Sequence, residues 1–191
     1  VGMATSDMDL VRTVTPYVTG ISESKGGAGN PSPITAYGVF MGMKAAAKFK
    51  FGSDILEDKV IYVQGIGNVG EALVENLSNE GAKVYVSDIN QERLEEVRDK
   101  YSVNIYGGDN IYAEEMDIYA PCALGATIND FTINQLNTKI IAGAANNQLA
   151  EEQKHGKMLR EKGIVYAPDF LINAGGIINV YAELENYDRK E

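Results

Sequence analysis

The 191 residues predict an α/β fold, a doubly wound, mostly parallel sheet with helices on both faces. Three observations carry that expectation. From Lys59 onward, short aliphatic runs alternate with segments of helical period, the pattern of repeated strand–helix units. Apolar residues make up 45% of the chain against 23% charged, enough to bury both faces of a sheet. A glycine-rich hexamer, Gly65-Ile66-Gly67-Asn68-Val69-Gly70, stands where the first aliphatic run gives way to the first helical segment.

Residues 1–30 read as a linker or hinge with a short helix around Asp9-Leu10-Val11 and Val14, ended by Gly26-Gly27-Ala28-Gly29-Asn30-Pro31. Residues 26–32 lack the Lys-Ser/Thr of a P-loop, so a hinge is the better reading. Residues 31–191 read as one domain. Ser32 as N-cap and Pro33 at the first helical position open a helix whose Ile34, Tyr37, Gly38, Met41, Ala45 and Phe49 share a face. Val60-Ile61-Tyr62-Val63 is a strand, and residues 68–80 are a helix with Val69, Ala72, Leu73 and Leu77 on one side and Gly81 as its stop. Val84-Tyr85-Val86 is a second strand ending at Asp88, and Leu94, Val97 and Tyr101 mark the helix after it. Further strands fall near Ile105, at 117–119, at 140–142 and at 164–166, with helical stretches at about 130–136, 151–162 and 175–185.

Seventeen Lys+Arg stand against 27 Asp+Glu, a net charge of −10. That balance disfavours nucleic acid and anionic membrane surfaces, whose phosphates it would repel. The longest uncharged run, between Lys25 and Lys44, holds five glycines and two prolines and does not suit a bilayer. Val1 to Leu10 carries two aspartates and no basic start, unlike a signal peptide. A single cysteine, Cys122, allows neither an intrachain disulfide nor a zinc cluster and fits a cytoplasmic protein. It reads as a buried structural thiol. The one histidine, His155, lies among Glu, Gln and Lys and reads as a solvated helix residue, so no metal site is expected.

The hexamer is a full G-x-G-x-x-G between a strand and a helix, and Asp88 ends the next strand 23 positions after Gly65. Gly65 makes the tight turn, Gly67 lets the backbone reach a pyrophosphate, and Gly70 lets helix pack on strand. The helix N-terminus offers its amides to the phosphates. A carboxylate at position 88 suits both adenosine ribose hydroxyls and repels a 2′-phosphate, so NAD is expected over NADP. No basic residue follows at once: Ile89-Asn90 come next, and Arg93 is five positions on. Asn146-Asn147 follow a strand, where they either cap the next helix or face the ligand crevice of an open sheet. The lysines suit a solvated surface, and no clear acid–base pair follows the glycine motif. The residues alone therefore lead to a dinucleotide-binding domain of Rossmann type, part of a larger oxidoreductase.

Longer motifs carry a resemblance. Residues 29–39 (GNPSPITAYGV), Asp88-Ile89-Asn90, residues 118–126 (IYAPCALGA), residues 143–149 (GAANNQL), Tyr166-Ala167-Pro168-Asp169 and residues 172–180 (INAGGIINV) resemble the Glu/Leu/Phe/Val amino-acid dehydrogenases, its leucine-type members most. The resemblance implies reversible, NAD-dependent oxidative deamination of branched-chain L-amino acids to 2-oxo acids and ammonia. It implies that Thr35 contacts the nicotinamide carboxamide, that the 65–70 loop with Asn68 and Val69 holds the pyrophosphate, and that Asp88-Ile89 hold the adenosine ribose. Cys122-Ala123 and Ala145-Asn146 would line the dinucleotide, Asn147 would lie nearest the amino-acid substrate, and Ile177 and Val180 would line its side-chain pocket.

Gly70 stands where leucine-type members commonly have Ala, and Tyr181-Ala182 where they have Ala-Asp. The resemblance implies that the family's catalytic lysines belong to a preceding N-terminal domain and that its relay aspartate lies just before Val1, so this chain by itself is expected to be catalytically incomplete, and the full-length protein a homo-oligomer. A freestanding NAD-binding sensor module without turnover is the alternative that the same residues leave open.

Overall fold

The computed structural model describes residues 3–184. Six strands form one wholly parallel sheet: β1 (Val60–Gln64), β2 (Lys83–Ser87), β3 (Asn104–Ile105), β4 (Met116–Pro121), β5 (Thr138–Ile141) and β6 (Val165–Tyr166), in spatial order β3-β2-β1-β4-β5-β6. The order reverses beside β1, whose partners are β2 on one side and β4 on the other. This is the doubly wound arrangement expected, and it opens a crevice at the carboxyl ends of β1 and β4.

Alternation along the strands explains both layers. Ile61 and Val63, Val84 and Val86, Ile118 and Ala120, and Ile140 and Ala142 point to one core. Tyr62, Tyr119 and Ile141 point to the other, with Tyr85 packed against it. The first layer is closed by α2 (Ser32–Phe51), α3 (Asn68–Asn79) and α4 (Gln91–Tyr101). The second holds a row of tyrosines in register across β2, β1 and β4: Tyr85, Tyr62 and Tyr119. The rings of Tyr62 and Tyr85 stack at 4.7 Å, and Tyr106 meets Tyr62 edge-on.

The helix expected after Ser32 is present, but it begins one residue earlier, with Pro31 as N-cap and the Asn30 side chain accepting the Ser32 N–H. Its buried face is Ala36, Val39, Met43, Ala46 and Ala47. The larger apolar set Ile34, Tyr37, Met41 and Phe49 is exposed. Small side chains win the inner face because α2 packs closely there, against α3 and the sheet. The later helices α5 (Thr132–Gln135), α6 (Glu152–Glu161) and α8 (Gly175–Leu184) follow the expected stretches, and a short α7 (Asp169–Ile172) is added before α8. Glu185, where the last helix was expected to end, lies outside the described residues.

The first thirty residues contain α1 (Thr5–Arg12) and are tied down by two carboxylates. Asp9 accepts from the Ser22 amide and hydroxyl and pairs with Lys25 at 3.2 Å. Glu183 on α8 accepts from the Gly20 and Ala28 amides at 2.7 and 2.9 Å.

Candidate dinucleotide site

The glycine hexamer sits where the strand order reverses. Gly65 follows β1 with φ +95°, donates to the Ser87 carbonyl at 2.7 Å, and lies so close to Ala123 that a Cβ would come within 2.8 Å of its N, Cα and Cβ. Cys122 donates its amide to Gln64 O at 2.8 Å, so residues 122 and 123 are drawn onto the turn from β4. Gly70 is buried, and a Cβ there would overlap the Gly65 carbonyl oxygen and touch Cys122. Gly67 differs from both: it is exposed, and a Cβ on it would meet nothing within 4 Å. Two of the glycines are therefore held by packing, and the third opens the α3 N-terminus to solvent. Asn68 and Val69 are the first residues of α3, where helix amides lack an intrahelical acceptor.

Asp88 is locked onto this turn. Its Oδ2 accepts the Ile66 amide at 2.8 Å, and its Oδ1 accepts that of Asn90 at 3.0 Å. Asn90 in turn caps α4 by accepting from Arg93 N. Ile89 is fully exposed beside it. On the far side Arg93 donates Nε to the Ile66 carbonyl at 3.2 Å and pairs with Glu71 on the first turn of α3. Burial works against ionisation of Glu71, but Lys100 at 2.9 Å and the Arg93 charge outweigh it and lower its pKa.

Cys122 is half-buried, and burial pushes its thiol up to about 11. It is then almost wholly protonated near neutrality, which agrees with a structural thiol and not a nucleophile. Alkylation by iodoacetamide at pH 8 should run on the order of 100-fold slower than for an unperturbed cysteine of pKa ~8.5. Labelling at the free-thiol rate would contradict that environment.

A second cluster forms after β5. Ala145 donates to Pro121 O at 2.9 Å, joining this loop to the end of β4. Asn147 takes the left-handed conformation, φ +52°, and its amide is accepted by the Asp169 carboxylate. Asn173 donates Nδ2 to Ala144 O at 3.1 Å and to Asn146 Oδ1 at 2.6 Å. Asn146 and Asn147 do not cap the following helix, because α6 begins only at Glu152 with Glu151 as its N-cap. Asp169 and Asn173 thus hold the loop through side chains to which the sequence reading gave no role. Their visible signal is a short polar residue at each end of the brief α7, just after a strand.

Thr35 lies in the first turn of α2 and donates its hydroxyl to Pro31 O at 2.9 Å. The start of α8 rests directly on it: a Cβ on Gly176 would fall 2.5 Å from Thr35 Oγ1, and one on Gly175 would fall 2.5 Å from Ile34 O. Ile177 is 70% exposed in the first turn of α8 and Val180 is half-buried, so Ile177 is not an ordinary core residue. A cavity of about 330 Å³ is lined by Asn147, Gln148, Leu149, Tyr166 and Asp169 among others, and neither Ile177 nor Val180 reaches it. Burial, then the Asp169 charge, raise Tyr166 to about 12.

His155 departs from the expectation of a solvated residue: it is 1% exposed. Its Nδ1 accepts the Glu151 amide at 2.9 Å, which leaves the proton on Nε2, 3.1 Å from Asp130. The ring closes the first turn of α6, where the open amide made burial favourable. Asp130, Glu151 and His155 stand close enough to share an ion, but both ring nitrogens are already engaged and Lys154 bridges the two carboxylates. Among the described residues no helix is long and apolar enough to cross a membrane.

Comparison with known proteins agrees with this geometry. The family model for Glutamate/Leucine/Phenylalanine/Valine dehydrogenase matches residues 26–92 and 85–189. A leucine dehydrogenase from Thermoactinomyces intermedius is 57% identical over 190 residues, covering 100% of this chain and 52% of that protein. One from Bacillus subtilis (strain 168) is 56% identical over 188 residues, covering 98% and 51%. The crystal structure of L-tryptophan dehydrogenase from Nostoc punctiforme aligns with a TM-score of 0.82 at 47% identity, over 85% of this chain and 49% of that one. The chain spans about half the length of the curated relatives it matches. Matched by the family model over most of its length and folded around a glycine turn at the point where the strand order reverses, the chain belongs to the Glutamate/Leucine/Phenylalanine/Valine dehydrogenase family.

Proposed function

We propose that this chain is the NAD-binding domain of a leucine-type amino-acid dehydrogenase, which oxidatively deaminates branched-chain L-amino acids to 2-oxo acids and ammonia. The observation that carries the reading is the 65–67 turn, open at Gly67 and tied through Ile66 to Asp88. Leucine dehydrogenases at 55–57% identity support the substrate class. When bound, a nicotinamide dinucleotide supplies the hydride acceptor. The amides of Asn68, Val69 and Gly70 bind its pyrophosphate at the positive end of α3. Asp88 and Ile89 hold the adenosine ribose, and Cys122, Ala123, Ala145 and Asn146 line the path between. Thr35 orients the carboxamide, Asn147 stands toward the substrate amino acid, and Ile177 and Val180 receive its aliphatic side chain. Neither of those two could satisfy a carboxylate, so a glutamate side chain would enter at a cost of several kcal/mol.

Calorimetric titration of the 191-residue chain tests the cofactor half. NAD should bind more tightly than NADP, and Asp88→Ser should narrow the difference, since the substitution removes the charge that repels the 2′-phosphate. Equal affinities in the unmutated chain would remove Asp88 from this role. The substrate half is tested in the full-length protein, where L-leucine should yield NADH and L-glutamate should not.

A further inference from the structure

We propose that Arg93 is a positioning residue for the dinucleotide turn, acting through the Ile66 carbonyl; this rests on the NAD-binding reading above. The peptide units on either side of Ile66 are gripped from two directions. Asp88 Oδ2 takes the Ile66 N–H at 2.8 Å, and Arg93 Nε donates to the Ile66 carbonyl at 3.2 Å. Ile66 is buried, while the neighbouring Gly67 has neither a side chain nor contacts at the Cβ position to hold it. The peptide unit entering Gly67 is therefore oriented from Ile66, while the Gly67 carbonyl accepts the Glu71 amide at 2.9 Å as α3 begins. Arg93 is itself fixed. Its guanidinium pairs with Glu71 on the first turn of α3, and its own amide is capped by Asn90, which stands two residues beyond Asp88. Lys100 and Tyr101 hold Glu71 from α4. Asp88 thus holds the turn directly through the Ile66 amide, and Arg93 braces the same turn through the Ile66 carbonyl.

The Arg93 charge is answered by Glu71 and, at 3.7 Å, by Glu96. Its role is orientation and not attraction of a 2′-phosphate. Removing it should weaken NAD and NADP by the same factor and leave their ratio unchanged.

The side chains of arginine and glutamine carry nitrogen at the same bond count from Cβ, at Nε and Nε2. Arg93→Gln can keep the donor to Ile66 O and loses the Glu71 pair, whereas Arg93→Met loses both. In the 191-residue chain, Arg93→Met should raise the Kd for NAD, NADP and ADP-ribose by about 5–10-fold, the scale of one hydrogen bond. Arg93→Gln should recover binding to within about 2-fold of the parent on the same scale. Circular dichroism confirms that each variant is folded before titration. A selective loss of NADP with Arg93→Met would make Arg93 a phosphate reader and overturn the proposal. So would unchanged affinities in Arg93→Met, or Arg93→Gln binding as poorly as Arg93→Met. Failure of the parent chain to bind NAD would instead defeat the function proposed above, which separates the two.

Discussion

Gly65→Ala should weaken dinucleotide binding at least ~10-fold and cost the domain several degrees of thermal stability. Gly65 holds φ +95°, a conformation that costs an L-residue about 1–3 kcal/mol. The added methyl would also lie 2.7–2.8 Å from Ala123 N, Cα and Cβ, and two of those atoms are backbone that cannot rotate aside. Relief requires the ends of β1 and β4 to part where Cys122 N is bonded to Gln64 O. At roughly 2–4 °C per kcal/mol for a domain of this size, the melting temperature should fall by about 5–10 °C. Because the same movement turns Gly67 and the α3 amides, NAD affinity should fall at least ~10-fold, a loss of about 1.4 kcal/mol. A variant that melts like the parent and binds NAD equally well would show that the turn is not the site.

Asn173 carries the second large expectation. Its amide nitrogen supplies both protons to the loop after β5, one to Ala144 O and one to Asn146 Oδ1. Asn173→Ala removes both bonds, a cost of about 1–2 kcal/mol. Asn173→Asp keeps the shape but turns an oxygen toward two acceptors, and should be worse than alanine. Since Asn146 is proposed to line the path of the dinucleotide, both variants should weaken NAD by roughly 10-fold or more if the loop loses its place. Unchanged NAD affinity in both variants would remove Asn146 from the path of the cofactor. If Asn173→Asp proved milder than Asn173→Ala, the assigned donor geometry would be wrong.

Much of the fold was legible because strand alternation and glycine punctuation are local signals. Val60 to Val63, Val84 to Val86 and the hexamer between them predicted the first βαβ unit, and the structure has it within a residue or two at each end. What was not legible depends on partners distant in sequence. The periodicity of α2 identified a helix but not its inner face, since Ile34, Tyr37 and Met41 make as regular a stripe as Ala36, Val39 and Met43, and only the close approach of α3 selects the smaller set. His155 looked solvated among its charged neighbours. It is buried because an open amide four residues back captures its ring. The anchoring roles of Asp169 and Asn173 were invisible for the same reason: their partners lie 22 to 29 positions away.

The tyrosine row across β2, β1 and β4 gives this domain an optical signature of its own. The chain has eleven tyrosines and no tryptophan, so no indole band covers the phenol signal. Tyr62 stacked on Tyr85 at 4.7 Å, with Tyr106 edge-on, fixes the mutual orientation of three chromophores on one face of the sheet. Rings held in such asymmetric contact give near-ultraviolet circular dichroism only while the sheet is packed. Burial also raises the Tyr62 and Tyr119 hydroxyls, so an alkaline titration followed at the phenolate band should divide into an early exposed group and a late buried one. The boundary between the two steps reports directly on whether the face of the sheet opposite α2 and α3 has opened, with no label attached.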